Sequence, residues 1–225
     1  MPVVIGHSSA FRSFQSRLSA HGCVFDRFQP SCTRIGLATI GTMHEDLAKI
    51  LIDRDTIAER IEVLAGELDR DLRGPAAREG LVVLPIMTGS VVFMADLMRH
   101  MRYRFLIEPV RARSYVGATT VATQPVEVEG LHESVVSGKH VLIVDDVLDS
   151  GRTIVELRKL AHSCGALSVS VCVLLRKETS PDVPCEYVGF DIPDDFVVGY
   201  GLDYAGLYRN LPDIAVLRQE AIDPQ

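Results

Sequence analysis

Within the run Val141-Leu-Ile-Val-Asp145-Asp146-Val-Leu-Asp149-Ser150-Gly151-Arg152-Thr153-Ile154, three carboxylates, two hydroxyls, a glycine and a guanidinium fall within nine residues. Residues of these types can hold a sugar phosphate. The apolar residues before Asp145 predict a short buried strand, with the acid pair where it stops, at the carboxyl edge where open α/β sheets bind ligands. Asp149 to Thr153 predicts a tight turn whose small residues let backbone N–H groups approach an anion. Ser150 and Thr153 add hydroxyl donors, and a helix from about Thr153 to His162 aims its positive end at the loop. The bland alternative is an ordinary strand–turn–helix junction with Asp as its cap. Three carboxylates in five residues would repel one another unless a cation or a polyol lay among them, which disfavours that alternative.

Around this stretch the sequence predicts alternating strands and helices from His44 onward. Leu47, Ile50 and Leu51 are spaced as a first helical face. Ile57, Ile61, Leu64, Ala65 and Leu68 form a second, with Asp53 or Asp55 as its cap and an end near Gly74-Pro75. Leu81 to Ile86 is a predicted buried strand, and Thr88 to His100 a helix with Val91, Val92, Ala95 and Met98 inward. Strands are expected over Tyr103–Arg113, Leu167–Leu175 and, around Pro193, Tyr187–Val198. The stretch from Gly117 to Gly130 reads as a mobile hairpin or loop. The fold class is therefore α/β, a mostly parallel central sheet flanked by helices.

Composition narrows the function. A formal charge of −7 and a pI near 5.5 argue against non-specific nucleic-acid binding. Five cysteines, none in a C-x-x-C pair, suggest reduced thiols and a cytoplasmic protein. No apolar run approaches the roughly 20 residues of a membrane span, so no membrane partner is expected. Residues 1–42 carry four Arg, one acid (Asp26) and many Ser. They resemble a transit peptide, a disordered tail or, with Met43 just beyond, a mis-called start; the functional domain is expected over 43–225.

Three further clusters could serve an anionic substrate and its acceptor: Thr88-Gly89-Ser90 at a strand-to-helix turn, Arg111-Ala-Arg113-Ser114-Tyr115 at the start of the polar segment, and the C-terminal groups Arg176-Lys177 and Phe196-Val-Val-Gly-Tyr200-Gly-Leu-Asp203-Tyr204 through Tyr208-Arg209-Asn210-Leu211-Pro212. Taken singly, each is more often a cap, a basic strand end, a snorkelling Lys or a core Phe.

Together, and in this order, the motifs resemble the type I phosphoribosyltransferases, and the C-terminal run closely resembles the hypoxanthine(-guanine) branch. The resemblance spans about Leu47 to Leu217. It implies a phosphoribosyltransferase fold with a small hood and a flexible lid loop, magnesium as cofactor, and transfer of phosphoribose from phosphoribosyl diphosphate (PRPP) to N9 of a 6-oxopurine. It implies that Asp145 and Asp146 bind the ribose hydroxyls, directly or through metal, and that Asp149, Ser150, Gly151, Arg152 and Thr153 hold the 5-phosphate. Thr88, Gly89 and Arg209 would meet the pyrophosphate, although some members carry a basic residue where Thr88 stands. Lys177, Phe196 and Val197 would bind the purine, Asp145 and Asp146 would be metal ligands and Asp203 would hold a second magnesium, and Ser114 and Tyr115 would close as the lid. Asp149, expected to be partly desolvated between like charges, is the candidate acid/base at purine N7. A xanthine-preferring enzyme and an RNA-binding regulator on the same scaffold are the alternatives. A homodimer or homotetramer is expected, as is usual for the family.

Overall fold

A computed structural model describes residues 45–114 and 126–222. In chain order its elements are β1 (Leu47–Ile52), α1 (Arg54–Arg78), β2 (Leu81–Met87), α2 (Val91–His100), β3 (Leu106–Ile107), β4 (Val110–Ser114), β5 (Val126–Glu129), α3 (Glu133–Val136), β6 (His140–Leu148), α4 (Arg152–Ser163), β7 (Ser168–Lys177), β8 (Tyr187–Ile192), β9 (Val197–Val198), β10 (Ile214–Leu217) and α5 (Gln219–Ile222).

The central sheet runs β5-β4-β2-β6-β7-β8, with β3 also paired to β2. Only the β4–β5 pairing is antiparallel. Buried on both faces, its strands read as near-continuous apolar runs, such as Leu81 to Leu84 and Val171 to Leu175. On one face α1 and α2 bring Ile57, Ile61, Leu64, Leu68, Phe93 and Leu97 against Leu142, Cys172 and Leu174. On the other, Ile154, Leu157 and Ala161 of α4 pack on Val141, Ile143, Val171 and Val173. A separate antiparallel sheet, β1-β10-β9, forms the hood. Two ion pairs fasten it: Lys49 to Asp195 at 2.9 Å, and Arg54 to the buried Asp213, whose Oδ1 also accepts the Arg54 backbone N–H at 2.9 Å.

Four expectations are corrected. Leu47, Ile50 and Leu51 lie on a strand, because Leu47 and Ile50 pair with Leu217 and Ala215 across the hood. The helix from Asp53 does not stop at Gly74-Pro75. It runs to Arg78, since Pro75 lies in its last turn and the N–H groups of Glu79 and Gly80 close on the carbonyls of Pro75 and Ala76. Asp53 does cap it, accepting from the Asp55 and Thr56 N–H groups. Helix α2 turns Phe93, Met94 and Leu97 inward and leaves Val91 and Met98 exposed. The strand expected over Tyr103–Arg113 is two short strands separated by Pro109.

Candidate active site

The acid pair sits inside the carboxyl half of β6. This strand pairs with β2 only as far as Val144–Pro85 but stays with β7 to Leu148–Arg176. Beyond Val144 the strand keeps only β7 as a neighbour, and there Asp145 Oδ1 takes the Asp146 N–H and Asp146 Oδ1 takes the Val147 N–H, both at 3.0 Å. Burial, and then the neighbouring Asp146 charge, push the Asp145 carboxyl well above the usual carboxylate range. Burial also raises Asp146, opposed by its hydrogen bonds and by the Arg209 cation. The pair resists carrying two negative charges without a cation beside it.

After Leu148 the chain makes the predicted loop. Gly151, at φ 68°, occupies the N-cap of α4, where it has no side chain with which to cap. A Cβ there would meet Val183 Cγ2 at 2.6 Å. The first-turn N–H groups thus face a hollow of about 150 Å³ lined by Asp145, Asp149, Ser150, Gly151 and Thr153.

A neighbouring hollow of about 200 Å³ shares Val147 and Asp149 with the first. It brings in Asp146, Lys177, Phe196, Val197, Leu202 and Asp203. The Asp149 side chain is exposed, and its nearest charge is an opposite one: Lys177 Nζ lies 3.6 Å from Oδ2. This corrects the expectation of a desolvated acid among like charges, because Lys177 comes from the end of the adjacent strand β7. The ammonium also binds Asp194 at 2.9 Å. Burial would lower the Lys177 pKa; the Asp194 bond and the Asp149 charge outweigh it and raise it. Phe196 remains half exposed, held edge-on by Tyr204 with centroids 5.6 Å apart. Val197 is buried and paired with Val216 in the hood.

On the far side of the acids, the Met87–Thr88 peptide bond is cis and Thr88 is exposed. The Ser90 hydroxyl is buried and donates to the Ile86 carbonyl at 2.7 Å, so it is a structural bond rather than a free donor. Gly89 lies against the acids: a Cβ on it would overlap the Asp146 carboxylate. Arg209 donates to the Gly201 carbonyl and to Asp203 Oδ1, both at 2.6 Å, and Asp203 Oδ2 accepts the Gly206 N–H at 2.7 Å. Of the expected lid, Ser114 ends β4 and Tyr115 lies outside the described residues.

Among the described residues no cluster of three or more His, Cys, Asp or Glu forms a metal cage. The all-oxygen donors of Asp145 and Asp146 nonetheless fit magnesium, which keeps several waters and is bound through one or two carboxylates plus substrate oxygens. A larger hollow of about 480 Å³ lies elsewhere, lined by Glu62, Gly66, Asp69, Arg99, His100 and Arg102. It contains none of these side chains.

Comparison with known proteins matches residues 50–205 to the phosphoribosyl transferase domain family. The hypoxanthine-guanine phosphoribosyltransferase of Streptococcus pneumoniae is 34% identical over 79% of this chain and 97% of its own length. The chain is a member of the hypoxanthine-guanine phosphoribosyltransferase family. A hypoxanthine phosphoribosyltransferase structure from Staphylococcus aureus agrees, with a TM-score of 0.73 and 35% identity over 81% of this chain and 97% of that one. One from Trypanosoma cruzi gives 0.70 and 34% over 78% and 94%. The bifunctional TilS/HprT protein of Listeria innocua is 39% identical over 80% of this chain, which spans 27% of that longer protein. These relatives bear out the phosphoribosyltransferase fold, and neither the xanthine-preferring nor the RNA-binding alternative is favoured by them.

What the sequence did not reveal is how these parts touch. Asp194 on Lys177, Arg209 on Asp203 and Gly89 on Asp146 all join residues distant in sequence or separated by a loop.

Proposed function

We propose that this phosphoribosyltransferase transfers phosphoribose from PRPP to N9 of hypoxanthine or guanine, releasing pyrophosphate, as a purine salvage enzyme of the cytoplasm. The carrying observation is the pairing of a carboxylate with an ammonium 3.6 Å away in one hollow, beside a half-exposed aromatic ring. Purine N7 and the 6-oxo group lie side by side on one edge of the base. Lys177 can only donate, so it favours the 6-oxo acceptor over the exocyclic amine of adenine. Asp149 exchanges the proton at N7, Phe196 stacks on the ring, and the Val197 backbone meets the edge at C2.

The 5-phosphate rests on Asp149 to Thr153, with Arg152 in the loop and the N-terminus of α4 behind it. Asp145 and Asp146 hold the ribose hydroxyls and favour the cationic character that develops at C1. Thr88, Gly89 and Arg209 receive the pyrophosphate. Asp145 and Asp146 would hold one magnesium and Asp203 a second; when bound, the metal neutralises the leaving diphosphate. Ser114 and Tyr115 shield the site from water as a lid. The domain comprises residues 43–225, with residues 1–42 as an extension, and acts as a homodimer or homotetramer. The exposed Val91 and Met98 of α2 supply apolar surface for that contact.

The test is turnover with PRPP and magnesium, offering hypoxanthine, guanine, xanthine and adenine separately. Formation of the hypoxanthine or guanine nucleotide is expected; reaction with adenine alone, or with no base, overturns the reading.

A further inference from the structure

Tyr200 stands between two glycines in the loop that follows β9, with φ of 51° flanked by 94° at Gly199 and 103° at Gly201. A left-handed backbone is uncommon for a bulky aromatic and persists only where surrounding contacts hold it. Here the side chain is buried, and its hydroxyl donates to Asp96 Oδ2 on α2 at 2.5 Å, a partner 104 residues away. Burial first, and then the Asp96 bond and charge, raise the phenol far above its usual range, so it stays a donor.

This bond joins the two elements that carry the pyrophosphate end of the site. Helix α2 begins immediately after the Thr88–Ser90 turn. The Tyr200 loop carries Gly201, whose N–H donates to the Arg209 carbonyl at 3.0 Å and whose own carbonyl receives the Arg209 guanidinium. The fit between them is tight. A Cβ on Gly201 would overlap the Gly89 carbonyl, as one on Gly89 would overlap Asp146. The order of contact is therefore Asp96, Tyr200, Gly201, Gly89, Asp146, with Arg209 attached at Gly201 and Asp203 held through Arg209.

We infer that Asp96 and Tyr200 are positioning residues that, through Gly201, fix the spacing between the Gly89 turn and the Arg209–Asp203 pair and so set the affinity for the diphosphate of PRPP. Neither side chain lines the two hollows at the candidate site, so both act through their neighbours. The base contacts come from Lys177 on β7 and from Phe196 and Val197 at the start of β9, in a hollow that Asp146 and Asp203 also line. The inference rests on the proposed transferase activity, and wild-type turnover tests that reading separately.

The experiment measures KM for PRPP and for hypoxanthine in Tyr200→Phe, Asp96→Asn and the double variant, with direct calorimetric binding of magnesium-PRPP and a melting curve for each. Loss of one hydrogen bond to a charged acceptor corresponds to about tenfold. The KM for PRPP in Tyr200→Phe should rise by about that factor, while the KM for hypoxanthine stays within about twofold. The double variant should be no worse than Tyr200→Phe, since both changes break one link. Asp96→Asn, which can still accept from the phenol, should fall between. Equal rises in both KM values, or unchanged PRPP binding in a protein with a lowered melting temperature, would reduce the bond to general scaffolding and overturn the inference.

Discussion

The two hollows of the candidate site are built in opposite ways. The side proposed for the phosphate is local: one loop of consecutive residues, a left-handed glycine and the first turn of α4, with backbone N–H groups as the proposed principal donors. The base side is assembled from separate places. Lys177 ends β7, Phe196 and Val197 open β9, Asp203 follows a glycine turn, and carboxylates from further loops hold the cations. A backbone cradle needs a fixed conformation, whereas a side-chain array needs its neighbours. Substitutions should therefore act on the first through φ and steric fit, and on the second through charge and hydrogen bonding.

Asp149 joins the two hollows, and its removal is the severest test. Asp149→Asn should lower kcat by roughly 10² to 10⁴, the range of general acid–base catalysis, while both KM values stay close to wild type; near-normal turnover would remove it from the reaction. On the phosphate side, Gly151→Ala places a Cβ 2.6 Å from Val183 Cγ2 at a positive φ. It should raise the KM for PRPP by about tenfold or more without changing which base is used. On the base side, Lys177→Met should do the converse. The KM for hypoxanthine should rise by about tenfold and preference over adenine should shrink, with PRPP binding intact. If either variant impaired both substrates equally, the two hollows would be one energetic unit.

The smallest effect is one of stability. Asp145 and Asp146 are both held above the ordinary carboxylate range. A carboxyl whose pKa is raised on folding binds its proton more tightly in the native than in the unfolded state. Its contribution to stability therefore falls as pH rises from the ordinary carboxylate value through the raised one, and the loss is complete above it. Without magnesium and PRPP, Asp145→Asn should melt above wild type at neutral pH. The gap should close as pH falls towards the ordinary carboxylate range, and an Asn variant melting lower at every pH would contradict this.

The same contrast explains what the sequence reveals. The phosphate loop is legible because its acids, glycine and helix start are contiguous, and each has a local physical meaning. The central strands are legible for a similar reason, being apolar runs of the right length. Leu47, Ile50 and Leu51 are ambiguous because three apolar residues suit a helix or a strand. The deciding partner, β10, lies more than 160 residues on. The inward face of α2 is not legible because Val91 to Met98 is apolar nearly all round, and only packing against the sheet selects Phe93, Met94 and Leu97. The environment of Asp149 depends on how far β7 extends beyond β6's other neighbour, a matter of strand register rather than of composition.

The parting of β2 from β6 after Val144 has a consequence for mutational risk. The cleft opens where a seam of the sheet is left unzipped, and the acid pair lies along it. A change that lengthened this pairing by two residues would knit the seam into ordinary sheet. Such a protein would gain resistance to heat as it lost its reason to exist, so a screen for thermostability alone would select against the site.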